Sequence, residues 1–169
     1  MYLIPVRVAT ATQTRAGHDQ QGGVDPRLDA ADGLIQLTRL VQGVHTRVSE
    51  RHDLTPVQAK LICVLAFGAR GMAELAQLFG VEKAALTGLI DRAERRGLVE
   101  RSPVEGDRRA LRVTLTARGR RAAKAFHAAA TERLDDLLSP LAPGEREQFR
   151  RALVKILAES ARQSEYDLR

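Results

Sequence analysis

At 169 residues the chain has room for one domain, or a small domain with helical arms, and folding at that size buries roughly 70% of the unfolded surface. A composition of 44% hydrophobic and 28% charged residues excludes wholesale disorder and fibrous repeats, and the longest apolar run, Leu61 to Phe67, falls well short of the roughly 18 residues needed to span a bilayer. The net charge of +6 is concentrated in residues 82–121, where 11 Lys and Arg stand against 6 Asp and Glu, the footprint either of a polyanion-binding surface or of a solvated arginine-rich face.

In chain order, residues 1–26 show no sustained period and read as a mobile arm. Their apolar residues Leu3, Ile4, Val6 and Val8 are interrupted by Pro5 and Arg7, so no secretory signal is expected. With a single cysteine, Cys63, no internal disulfide is expected either, and the setting is expected to be a reducing cytoplasm. From Leu28 onward Leu34, Leu37, Val41, Val44 and Val48 recur at helical spacing, which predicts a helix with one apolar stripe ending near His52. Thr55-Pro56-Val57-Gln58 is a capping box with proline at the first helical position, opening a helix that stops at Gly68.

Met72 to Phe79 predicts a short helix, Gly80-Val81 a turn, and Glu82 to Arg96 a second helix, together the outline of a helix-turn-helix. The second helix should bury Leu86, Leu89, Ile90 and Ala93 and leave Lys83, Thr87, Asp91, Arg92 and Arg95 outward. Gly97 ends it. Leu98 to Arg101 and Leu111 to Leu115 read as a two-stranded wing whose tip runs from Pro103 to Arg109. Thr116 caps a following helix with Ala123, Phe126, Ala130, Leu134, Leu137 and Leu141 on one face, broken by Pro140, Pro143 and Gly144. A last helix from about Glu145 turns Phe149, Leu153, Ile156 and Leu157 to one side.

The segment from Glu74 through Glu82-Lys83, then Leu89-Ile90-Asp91-Arg92 and Glu94-Arg95-Arg96-Gly97-Leu98-Val99, resembles the MarR family of bacterial transcriptional regulators. Gly106-Asp107-Arg108-Arg109-Ala110, Val113-Thr114-Leu115-Thr116 and Gly119-Arg120 are similar to that family's wing and the start of its next helix. The resemblance covers roughly residues 28–160. It implies a mainly α homodimer with two winged helix-turn-helix lobes on an inverted-repeat operator, usually released by a small phenolic, lipophilic or oxidising signal. By position it assigns Lys83, Ala84, Ala85, Thr87 and Gly88 to the surface in the major groove, and Asp107 and Arg109 to a wing pair in which the aspartate braces an arginine entering the minor groove. Arg108 adds charge beside that pair. Two positions depart from the pattern, Ala84 where a hydroxyl residue is common and Gly88 where an arginine is. Base readout is therefore expected to use thymine methyls against Ala84 or Ala85 and a hydrogen bond from Thr87, with the wing and groove width supplying the rest.

Arg92, Arg95 and Arg96 have two readings, contact with DNA phosphates or pairing with Asp91 and Glu94 on the same helix. Cys63 lies in the longest apolar run without a Lys or Arg beside it, so it reads as core packing rather than a redox sensor. His45 and His52 are two helical turns apart, too far for the i, i+4 pair of helical zinc sites, and read as polar surface or pocket lining; no metal or cofactor is expected. The family's urate sensors use a tryptophan on the first helix, and this chain has none. No nucleophile motif or phosphate loop supports an enzyme, and none of the six aromatic residues falls in the basic block, against a platform for single strands.

The expected organisation is an arm at 1–26, a dimerisation helix at 27–54, a winged helix-turn-helix domain at 55–118, C-terminal dimerisation helices at 119–162 and a tail at 163–169. The expected partners are a double-stranded DNA operator, a second copy of the chain and a small-molecule effector, with no membrane. The alternative is a winged-helix module for protein contacts, with the basic block facing an acidic partner.

Overall fold

The computed structural model describes residues 27–166 apart from Glu105 and Gly106, and the side chains of residues 104, 107–110 and 163–166 also lie outside the described part. The expected arm at 1–26 is outside it too. Six helices and a small antiparallel sheet follow in the order α1 (Ala30–Arg51), α2 (Pro56–Leu65), β1 (Arg70–Gly71), α3 (Met72–Phe79), α4 (Lys83–Arg95), β2 (Val99–Val104), β3 (Asp107–Leu115), α5 (Ala117–Leu137) and α6 (Pro143–Tyr166).

The helix starts are made by short polar side chains. Asp29 accepts from the Asp32 amide at 2.8 Å at the head of α1. In the capping box of α2, Thr55 and Gln58 each accept the other's backbone N–H at 3.2 Å. Thr116 opens α5 by accepting from the Gly119 amide at 3.0 Å, while its own hydroxyl donates to the Gly97 carbonyl at 2.6 Å. That second bond pins α5 to the end of α4. The approach is so close there that a Cβ on Gly119 would fall 1.9 Å from the Leu98 carbonyl oxygen, so only glycine fits.

Helices α3 and α4 end alike. Gly80 (φ 62°) and Gly97 (φ 65°) take the left-handed conformation, and the amides of Val81 and Leu98 reach back to the carbonyls of Ala76 and Ala93. These are Schellman closures, and they set the angle of the helix-turn-helix and of the step into the wing.

The sheet order is β1-β3-β2. β1 was not expected: its two residues, which pair Arg70 with Val113 and Gly71 with Arg112, are too few for any alternation to show. The wing is also longer than Pro103 to Arg109 as a tip would allow. β2 and β3 stay paired from Val99↔Leu115 out to Val104↔Asp107, with a register irregularity between Pro103 and Val104. β2 is an edge strand, where a proline without an N–H is tolerated, and the irregularity beside Pro103 lets pairing continue past it. Helix α5 in turn is shorter than its apolar pattern, ending at Leu137 with Leu141 beyond it.

The core gathers under the helix-turn-helix. Leu61, Ile62, Leu75, Leu86, Ile90, Val113 and Phe126 are fully or almost fully buried, each contributing about 1.5–3 kcal/mol of transfer free energy. The stripe of α1 enters this core only at its C-terminal end, through Val44 and Val48. Further back Leu34, Ile35 and Leu40 stand about half exposed, and on α6 so do Val154, Ile156 and Leu157. Among the described residues, no helix is long and apolar enough to cross a membrane.

Candidate nucleic-acid interface

Helix α4 has two faces. Leu86, Leu89, Ile90 and Ala93 are buried, while Lys83, Ala84, Ala85, Thr87, Asp91, Arg92 and Arg95 are exposed and Gly88 is half-buried. The outward set matches the expected one. The Thr87 hydroxyl donates to the Lys83 carbonyl at 2.9 Å, which leaves its oxygen able to accept a further hydrogen bond.

The carboxylates of α4 do not serve the arginines of α4. Arg101, on β2 and with a side chain only 19% exposed, takes both: its guanidinium meets Asp91 Oδ1 at 2.6 Å and Glu94 Oε2 at 2.5 Å, and its own amide donates to Glu94 Oε1 at 3.1 Å. Two charge-assisted bonds in a half-buried setting hold the base of the wing against the helix. They also take up the negative charge that would otherwise neutralise the outward face. Among the described residues the side chains of Lys83 and Arg92 have no hydrogen-bond or ion-pair partner, and that of Arg95 makes only a long 3.4 Å bond to the Asp91 carbonyl. Helical spacing pointed to pairs within α4, whereas Arg101 reaches Asp91 and Glu94 from a strand that folds back onto the helix.

Arg96, the third arginine of the run, turns the other way. Its guanidinium donates to Gln58 Oε1 in the first turn of α2 at 2.7 Å, and to Asp53 Oδ2 at 2.5 Å and the Asp53 carbonyl in the connection between α1 and α2. It is not part of the outward face.

The wing places Asp107, Arg108 and Arg109 at the start of β3, where Asp107 pairs with Val104 of β2. Their side chains lie outside the described residues. What the backbone fixes is their position, at the far end of a hairpin whose base Arg101 attaches to α4.

His45 and His52 face inward to a common partner. Their rings meet Phe126 edge-on, with centroids 5.8 Å and 6.4 Å away. Burial lowers the pKa of His45 from the ordinary imidazole value. Cys63 is half-buried against the core, and burial raises its thiol pKa, which disfavours the reactive thiolate. Among the described residues no three His, Cys, Asp or Glu come together as a metal site.

Comparison with known proteins bears on this surface. Residues 52–110 match the family model described as "MarR family". The HTH-type transcriptional repressor NicR of Pseudomonas putida is 32% identical over 96 residues, which cover 54% of this chain and 61% of that protein, so the chain spans about three fifths of that relative's length. Wild-type MarR from E. coli in its apo form superposes with a TM-score of 0.71 at 24% identity, over 79% of this chain and 99% of that one. NadR, solved in complex with 4-hydroxyphenylacetate, superposes with a TM-score of 0.60 at 23% identity, over 80% of this chain and 97% of that one.

Proposed function

We propose that this chain, which belongs to the MarR family, is a ligand-responsive transcriptional regulator, a repressor in its usual mode, acting as a homodimer on an inverted-repeat operator. The observation that carries the reading is the outward face of α4, where the charges of Lys83, Arg92 and Arg95 stand without a carboxylate partner while Arg101 occupies Asp91 and Glu94. A helix that is apolar inside, cationic outside and braced to a hairpin has the form that enters a major groove while the hairpin reaches the flanking minor groove.

In this mechanism Lys83, Arg92 and Arg95 meet phosphates and set register, while Ala84, Ala85, Thr87 and Gly88 face base edges. Two small side chains at the centre favour thymine methyls, and the Thr87 oxygen accepts from an exocyclic amine. Asp107, Arg108 and Arg109 carry the minor-groove contact.

The homodimer is supported by the half-exposed apolar residues of α1 and α6, which lie at opposite ends of the chain and are covered when two copies pool them in one bundle. The two copies of α4 then stand about 34–36 Å apart, one turn of DNA. NadR binds 4-hydroxyphenylacetate, and a small effector is proposed here as well, seated between the dimer helices and the lobe. A tenfold change in operator affinity takes about 1.4 kcal/mol of differential binding between two lobe spacings.

The test is a titration against fluorescent duplex from the gene's own upstream region, with random duplex as competitor, at several salt concentrations. Specific binding that survives competitor and falls steeply with log salt is expected. Equally weak binding to both duplexes, with no operator recovered by a genome-wide pull-down, overturns the reading in favour of a protein-contact module.

A further inference from the structure

The end of α1 closes in the same way as the ends of α3 and α4, with one substitution. Leu54 N–H reaches back to the Ser49 carbonyl at 2.9 Å and Asp53 N–H to the Glu50 carbonyl at 3.1 Å, the Schellman pattern once more. Where the other two closures place Gly80 and Gly97 in the left-handed position, this one places Asp53, at φ 54°. A side chain there costs conformational free energy that glycine avoids, although aspartate tolerates the region better than most residues. What Asp53 offers in return is a carboxylate, which is turned to Arg96 beside its own backbone carbonyl.

Arg96 is the C-cap residue of α4, and the remaining acceptor of its guanidinium is Gln58 Oε1, the same oxygen that caps α2. A buried glutamine, a left-handed aspartate and the planar fork of an arginine thus form one clasp. It joins the last residue of the candidate reading helix to the hinge between α1 and α2, across 43 residues of sequence. Helix α4 packs chiefly on α3 and β2, so this clasp is a direct side-chain link from α4 to the end of the long first helix.

We infer that Arg96 is a positioning residue that fixes the pose of α4 relative to α1, and thereby the half-site spacing an operator must have. The inference rests on the operator reading above. It makes Arg96 unlike Arg92 and Arg95: its charge is spent within the protein, and its effect on DNA is geometric.

The test has one arm without DNA and one with it. For the first, spin labels are placed at Thr46→Cys on α1 and Ala85→Cys on α4 in a Cys63→Ser background, and the doubly labelled chain is diluted into excess unlabelled chain. Arg96→Gln should widen the distance distribution, and so should Arg96→Lys, which keeps the charge but lacks the planar fork that reaches Gln58 from one nitrogen and Asp53 from the other. For the second, affinity is measured on inverted repeats whose half-sites are moved by one base pair either way. The parent should discriminate by about tenfold, both variants by no more than about twofold, with the slope of log affinity against log salt unchanged.

A distance distribution as narrow in both variants as in the parent would overturn the inference. So would spacing discrimination that persists in Arg96→Gln while the salt slope falls by about one, since that marks a phosphate contact, or a lowered melting temperature with neither readout moved, which marks a purely structural role. A parent that binds no inverted repeat would sink the operator reading, and the spacing role with it. The label arm would still report separately whether Arg96 holds the two helices.

Discussion

The winged lobe and the terminal helices bury their apolar residues to very different degrees. In the lobe, Leu75, Leu86, Ile90 and Val113 are inaccessible, and every inward position of α4 is covered. On α6 the corresponding residues are open, Leu157 at 58% and Val154 and Ile156 at 52%, and the first half of α1 is the same, with Ile35 at 53%. The inward rows of the lobe are covered, with single residues such as Phe67 left open at 65%, while on the ends whole stretches of the apolar pattern stay half exposed. A helix with an apolar stripe needs something to set it against, and for these helices the proposed second copy supplies it.

Phe126 is where the two regions meet, with both α1 histidines resting on its ring. Phe126→Ala should therefore cost about 3–5 kcal/mol, read as a fall in melting temperature of the full chain, because it empties the joint rather than either side. A loss below about 1 kcal/mol would mean that α1 is held to the lobe by other contacts. Leu157→Asp addresses the open side: sedimentation should show monomer, and operator affinity should drop about a hundredfold, near 2.7 kcal/mol, while the lobe keeps its cooperative melt. A dimer that persists would remove α6 from the self-association surface.

Arg109→Ala acts on the lobe's outer rim and is expected to cost about 1–3 kcal/mol of operator binding with the dimer intact; unchanged affinity would take the wing out of the mechanism. The smallest effect belongs to His45. Burial lowers its folded pKa from 6.5, so the unfolded chain binds the proton more tightly. Stability should fall as the pH drops below about 6.5 toward the folded value, and His45→Gln should flatten that part of the profile of melting temperature against pH. A profile of the same steepness in His45→Gln would assign the acid sensitivity to another group.

The elements that could be read from the sequence are those decided locally. Capping at Thr55 and Thr116, the glycine stops at Gly80 and Gly97, and the inward row of α4 each depend on residues within about one helical turn, and each stands in the fold as expected. What was not legible is set by residues brought together from a distance. β1 is a strand only because β3 lies beside it. Arg101 captures Asp91 and Glu94 by folding back across the turn at Gly97, so of the two readings that helical spacing left open for the arginines, pairing with these carboxylates within α4 is not formed. The clasp at Arg96 joins residues 43 apart, and nothing in the composition of Asp53 or its neighbours marks it as an acceptor. The apolar stripes of α1 and α6 were visible, but periodicity says only that a face is apolar, not whether the same chain covers it.

Gly88 leaves open space at the centre of the proposed reading face. A Cβ there would meet only the flexible end of Arg92, at 3.4 Å, and no backbone. Adding a Cβ would disturb no packing, and mid-helix an alanine would return up to about 1 kcal/mol of helix propensity that glycine forgoes. New sequence preferences can therefore be acquired at this position without a compensating loss of stability. In a protein lineage, or in a selection experiment, Gly88 is where the vocabulary of recognised operators can be enlarged by a single codon change.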